Sequence, residues 1–145
     1  MEPIKIINNT TDLDGTCYIE LSLGRYSGNH WAPSSLYFAE EIFGFIEPIF
    51  EKHIQNYNHY GINNPGVNEW NKITSALSEL ANFLRSVRDF EEVLGHIGFM
   101  FGDVRDYFQR HFNTCQRDLI QLIGDVIEWV NTNLPHHRYI AILGI

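Results

Sequence analysis

His111 and Cys115 stand four residues apart, a spacing that on a helix sets an imidazole one turn before a thiol. A cysteine near a helix N-terminus can have its thiol pKa lowered, and a neighbouring imidazole can take the proton, so this pair is the best nucleophilic candidate in the chain. A cysteine in a first helical turn is more often a packing residue. Glu92 and His96 form a second pair at helical spacing, with Asp103, Asp106 and His111 on a nearby helix. Carboxylate and imidazole can coordinate zinc there, although a surface hydrogen-bonded pair satisfies the same spacing. The run Gly24-Arg25-Tyr26-Ser27-Gly28 is G-x-x-S-G rather than the G-x-S-x-G of a nucleophile elbow, and a glycine-rich turn leaving a strand accounts for it. His136 and His137 are adjacent, point to opposite sides if extended, and read as exposed loop residues. No H-E-x-x-H, E-x-x-H, EF-hand loop, Walker A or G-x-G-x-x-G occurs. The sequence nominates no catalytic residue, no metal ligand and no cofactor.

The interaction signal is more coherent. On the first helix, expected over residues 34–54, Glu40, Glu47 and Glu51 share an outward stripe that no basic residue interrupts, with Glu41 and Lys52 toward one flank. Like charges at this spacing repel by roughly a few tenths of a kcal/mol, and a cationic surface would relieve them. Tyr37 on the same helix, and Tyr57, His59 and Tyr60 in the following loop, add aromatic rings with polar handles. Aromatic anchors within a charged rim are the anatomy of a protein interface. A solvated helix face with half-buried tyrosines is the plainer alternative.

Packed helices must position these groups. Trp70, Ile73, Leu77, Leu80, Leu84 and Val87 recur at steps of three and four, one stripe of a helix that Asn68 can cap. A first helix is expected over 34–54, with Ala39, Ile42, Ile46, Ile49, Phe50 and His53 inward and either a kink at Pro48 or a break at Glu47. A third follows Phe90, Leu94, Ile97, Phe101, Val104 and Phe108. Gly95, Gly98 and Gly102 weaken it, by about 1 kcal/mol each, unless they allow close packing against a neighbour. A fourth starts at Asn113 or Thr114, carries Leu119, Leu122, Ile123, Val126, Ile127, Val130 and Leu134, and stops at Pro135.

Residues 17–23 alternate, with Cys17, Ile19, Leu21 and Leu23 on one face and Tyr18, Glu20 and Ser22 on the other, as in a half-buried strand. Ile4, Ile6 and Ile7 form a short β-prone piece, 8–15 is turn-rich, and 24–33 breaks the strand. The apolar tail 139–145 would be a liability if loose, so it is expected to pair with the strands near the N-terminus. The fold class is therefore α+β: a single domain over 1–145, mainly helical, with four main helices packed on a small sheet formed by N- and C-terminal strands.

At 145 residues the chain is long enough to bury a genuine core, and 44% hydrophobic content is that of a globular protein. Formal charge is −8, which disfavours phosphate backbones and anionic lipid and favours a basic partner, though it can also serve solubility alone. Cys17 and Cys115 are too few and too isolated for a disulfide framework and read as reduced thiols in the cytoplasm. No signal peptide or membrane-spanning run is apparent.

Between Cys17 and Trp70 the chain carries Gly24-Arg25-Tyr26-Ser27-Gly28, Trp31-Ala32-Pro33, Phe38-Ala39-Glu40-Glu41-Ile42-Phe43, His59-Tyr60-Gly61 and Trp70. In these features, and as a small acidic chain without an active-site motif, it resembles the immunity proteins of bacterial polymorphic toxin systems, including contact-dependent growth inhibition. The resemblance implies a non-enzymatic protein that binds a cognate toxin domain, often a nuclease, and blocks it with acidic side chains in its basic groove. Immunity proteins share no common fold and no binding motif is matched, so no contact residue is carried over. The contacts expected from charge are Glu40, Glu47, Glu51, Tyr37, Tyr57, His59 and Tyr60. Two other classes stay open: a small hydrolytic or metal-dependent enzyme using His111/Cys115 or Glu92/His96, and an adaptor subunit of a larger assembly.

Overall fold

Sequence-distant apolar runs meet around one cluster of buried side chains in the computed structural model, which describes residues 1–15 and 17–144. In chain order its elements are β1 (Tyr18–Leu23), β2 (Leu36–Ala39), α1 (Glu40–Phe43), α2 (Glu47–His53), β3 (Ile62–Asn63), α3 (Val67–Ser86), α4 (Gly102–Arg110), α5 (Phe112–His137) and β4 (Ile140–Leu143). Short 3-10 turns lie at Thr10–Asp12 and Phe90–Val93. The α+β class stands: helices pack on a four-stranded antiparallel sheet of order β2-β1-β4-β3.

The ladder is one buried face of α3: Trp70, Ile73, Leu77, Leu80 and Leu84 are all in the core, against Leu119, Leu122, Ile123, Val126 and Val130 of α5. Burying such a side chain stabilises by about 1.5–3 kcal/mol, and this helix pair is the largest internal contact. The cap differs from expectation. Gly66, not Asn68, precedes the helix, and its N–H donates to the Glu69 carboxylate at 2.9 Å. Val87 lies just past the helix end but stays buried. There the Gln116 amide of α5 donates to the carbonyls of Leu84 and Val87, at 2.5 and 3.0 Å, satisfying helix-end acceptors that α3 cannot.

The tail forms β4, pairing with β1 (Leu21 opposite Ile142) and with β3 (Asn63 opposite Ile142); Ile145 lies outside the described residues. Trp70 ties helix to sheet, its indole N–H donating to the Ile140 carbonyl at 3.0 Å. Of the isoleucines near the start, Ile7 exchanges backbone hydrogen bonds with Tyr37, both at 2.8 Å, along the outer edge of β2. β1 begins at Tyr18, leaving Cys17 exposed, and it is not half-buried: Tyr18 and Glu20 on its supposed outer face are buried as well.

The expected helix over 34–54 is not one element. Leu36-Tyr37-Phe38-Ala39 is a strand, buried throughout and paired with β1, Glu20 opposite Tyr37. A run apolar on both faces fits a covered strand as well as a helix, and its aromatic residues favour the strand. Tyr37 is therefore a sheet residue. The chain then makes α1, turns through Gly44-Phe45-Ile46, and starts α2 with Pro48 in the first turn, where a missing N–H costs nothing.

Residues 90–108 are likewise not a continuous helix. Gly95 takes a left-handed backbone with φ of 83°. The Gly98 N–H donates to the Phe45 carbonyl at 3.1 Å, and a Cβ there would run into the carbonyl of Gly44 and the ring of Pro48. That glycine permits a close approach of chain segments, not a helix. At the far end α5 starts at Phe112, earlier than Asn113, and continues through Pro135 to His137. Arg138, with φ of 55°, ends it. His136 and His137 are exposed as expected, but in the last helical turn and not in a loop.

Candidate functional site

The break at 44–46 places two carboxylates side by side, since Glu40 opens α1 and Glu47 opens α2. The loop after α2 brings His59 between them. Its Nε2 lies 2.7 Å from Glu40 Oε1 and its Nδ1 lies 2.5 Å from Glu47 Oε2. Carboxylates only accept, so both ring nitrogens must donate, which is the imidazolium form. Burial by itself pulls the His59 pKa down, but the hydrogen bonds and charges of Glu40 and Glu47 outweigh it and leave the pKa raised. Tyr57 joins the cluster, its hydroxyl donating to Glu47 Oε2 at 2.7 Å; burial first, and then that carboxylate, push the phenol pKa up strongly.

The loop is held from its other side too. Asn63 Nδ2 donates to the Asn58 carbonyl at 2.9 Å, and Gly144 N–H donates to the Gly61 carbonyl at 2.9 Å. A Cβ on Gly144 would run into the His59 carbonyl, so β4 and the loop are fitted closely. This leaves Tyr60 packed edge-on to His59 and 68% exposed.

Four residues expected at an interface, Glu40, Glu47, Tyr57 and His59, thus form one clamp, with Tyr60 displayed on it. The stripe expected on a single helix face is different in kind: Glu40 and Glu47 are engaged by His59, and Glu51 is exposed. Tyr37 belongs elsewhere. It is fully buried in β2, its hydroxyl donates to the Ala32 carbonyl, and burial followed by the nearby Glu20 charge raises its pKa to about 12.

Beside the clamp lies a cleft of about 520 Å³ lined by Glu2, Asp14, Cys17, Tyr18, Glu40, Glu41 and Phe101, among others. None of the described residues lining it is basic, and Phe101 at its wall is 49% exposed. Sequence reasoning missed Glu2, Asp14 and Phe101 because they come from three separate segments. A coarser signal was present: residues 1–51 hold eight acidic and two basic side chains, three-quarters of the net charge.

The nucleophilic and metal candidates are not assembled. Cys115 is buried; burial, then the charge of Asp118, pushes its thiol pKa up to about 11, the reverse of the expected lowering. His111 packs at a tilt against Tyr107, with ring centroids 4.4 Å apart and 40° between planes. Glu92 caps the turn at Phe90–Val93 by accepting from the N–H groups of Arg88 and Asp89, at 2.6 and 3.1 Å, which lowers its pKa. His96 instead stacks on Phe83, 4.0 Å between centroids. Among the described residues no group of three or more His, Cys, Asp or Glu is arranged to hold a metal ion, and no helix is long and apolar enough to cross a membrane. Both cysteines are free thiols.

Comparison with known proteins finds no matching family, no matching characterised protein and no matching solved structure.

Proposed function

We propose that this chain is a cytoplasmic immunity protein that binds a cognate toxin domain, a basic nuclease, and neutralises it by covering its active site. The observation that carries the reading is the concentration of acidic side chains in the first 51 residues, of which Glu2, Asp14, Glu40 and Glu41 line a cleft whose described lining includes no basic residue. A nuclease groove is built to hold polyphosphate, so an array of carboxylates can occupy it in the place of substrate. Glu41, Glu51, Glu2 and Asp14 supply the field, while Phe101 and Tyr60 supply exposed rings of the kind that anchor interfaces. Glu40, Glu47, Tyr57 and His59 act one step back: they hold the loop that presents Tyr60.

The protein has no direct role with nucleic acid or membranes in this reading, and it is not an enzyme. Burial of Cys115 removes the support that the sequence lent to a thiol hydrolase. Co-expression with the toxin domain encoded beside its gene tests the proposal. Growth should be restored and the two proteins should co-purify; failure of both overturns it.

A further inference from the structure

Trp31 is a bulky residue held in the left-handed region, with φ of 65°. Side chains larger than Asn rarely adopt that region, so the surroundings must enforce it. The enforcement comes from Glu20 on β1, which has no exposed surface. Its carboxyl group accepts from Trp31 N–H at 2.7 Å, Ala32 N–H at 3.2 Å and the Ser35 hydroxyl at 2.7 Å. No ion pair among the described residues includes Glu20. An acidic group set in the core without a cation is an expensive way to hold a loop. What it holds is an indole stacked on Tyr37 (centroids 5.8 Å apart, 17° between planes) and packed edge to Tyr18 at 6.2 Å, yet still 37% exposed.

Tyr18, against which Trp31 packs, also lines the acidic cleft together with Asp14, Glu40 and Glu41, so one residue separates the indole from that cleft. A part-exposed electron-rich ring one residue from an acidic cleft is matched by a planar cation that the cleft's charge attracts. We propose that Trp31 is a pre-set anchor for an arginine side chain of the protein partner, with Glu20 as the positioning residue that fixes its backbone. The inference rests on the reading of a cationic partner above and names the residue that partner would contact.

The test titrates the full chain with a blocked tetra-arginine peptide, with blocked tetra-glutamate as control, and follows the three Trp indole N–H resonances. The Trp31 resonance should move saturably with tetra-arginine, ahead of those of Trp70 and Trp129, and not with tetra-glutamate. Trp31→Asn keeps a residue at ease in the left-handed region; it should weaken peptide binding by about tenfold while retaining the native circular dichroism, and Trp31→Tyr should recover most of the affinity. Equal binding by wild type and Trp31→Asn would overturn the anchor while leaving the acidic face intact. No binding by wild type would overturn the anchor and the cationic-partner reading together. Should Trp31→Asn not fold, the wild-type resonances and Trp31→Tyr still decide: a Trp31 signal that stays fixed while peptide binds ends the proposal.

Discussion

His59 carries its positive charge because two carboxylates flank its ring, and that sets a pH signature. Its folded pKa is raised above the unfolded value of about 6.5, so its stabilisation is complete below that pH and is lost as pH rises through the folded pKa. His59→Ala leaves Glu40 and Glu47 facing each other without a counter-charge and should cost about 1–3 kcal/mol near neutral pH. Thermal melts of wild type and variant across neutral to alkaline pH should show the gap narrowing as pH rises; a gap that is constant or widens would contradict the clamp. The sequence made Glu40, Glu47, Tyr57 and His59 visible as charge and aromaticity in neighbouring segments. It did not show that the histidine would consume two of the glutamates, because that depends on how a loop 12 and 19 positions away folds back. Glu20 was hidden for a related reason: its place in an alternating strand reads as exposed, and only residues 31–35 folding over it make it buried.

Elements were legible where periodicity is local and one face is apolar. The α3 ladder satisfies both conditions, and Leu77 at its middle is fully buried. Leu77→Ala should destabilise by about 2–5 kcal/mol, read by denaturant unfolding, because the packed α3–α5 seam cannot collapse fully into the void. A loss below about 1 kcal/mol would mean that this seam is not the tight contact described. The strand β2 was misread because Leu36 to Ala39 are buried on both faces and lead directly into α1, erasing the change of period that would mark a boundary. Around residues 90–101 the expected stripe holds only in part: Phe90 and Ile97 are buried, but Leu94 and Phe101 are exposed and Val93 is buried instead, because glycine geometry and a 3-10 turn replace the helix. Pro135 failed as a stop because the helix end is set three residues later, by the left-handed turn at Arg138.

Across the whole molecule the charge is uneven, and this asymmetry carries the functional account. An acidic half should draw a basic partner in quickly and release it as salt rises, since exposed charges are screened over about 10 Å at 0.1 M ionic strength. Glu41 and Glu51 are the positions at which to test this, because neither takes part in the His59 hydrogen bonds that would unfold the loop if broken. The most direct measurement is calorimetric titration of the proposed partner, a toxin domain sought in the neighbouring gene, into the wild type and into Glu41→Lys/Glu51→Lys, at low and high salt. The account predicts salt-sensitive binding by the wild type and a loss of about tenfold or more in the doubly reversed variant, with its melting temperature maintained. Affinity that is indifferent both to salt and to those two reversals would contradict it.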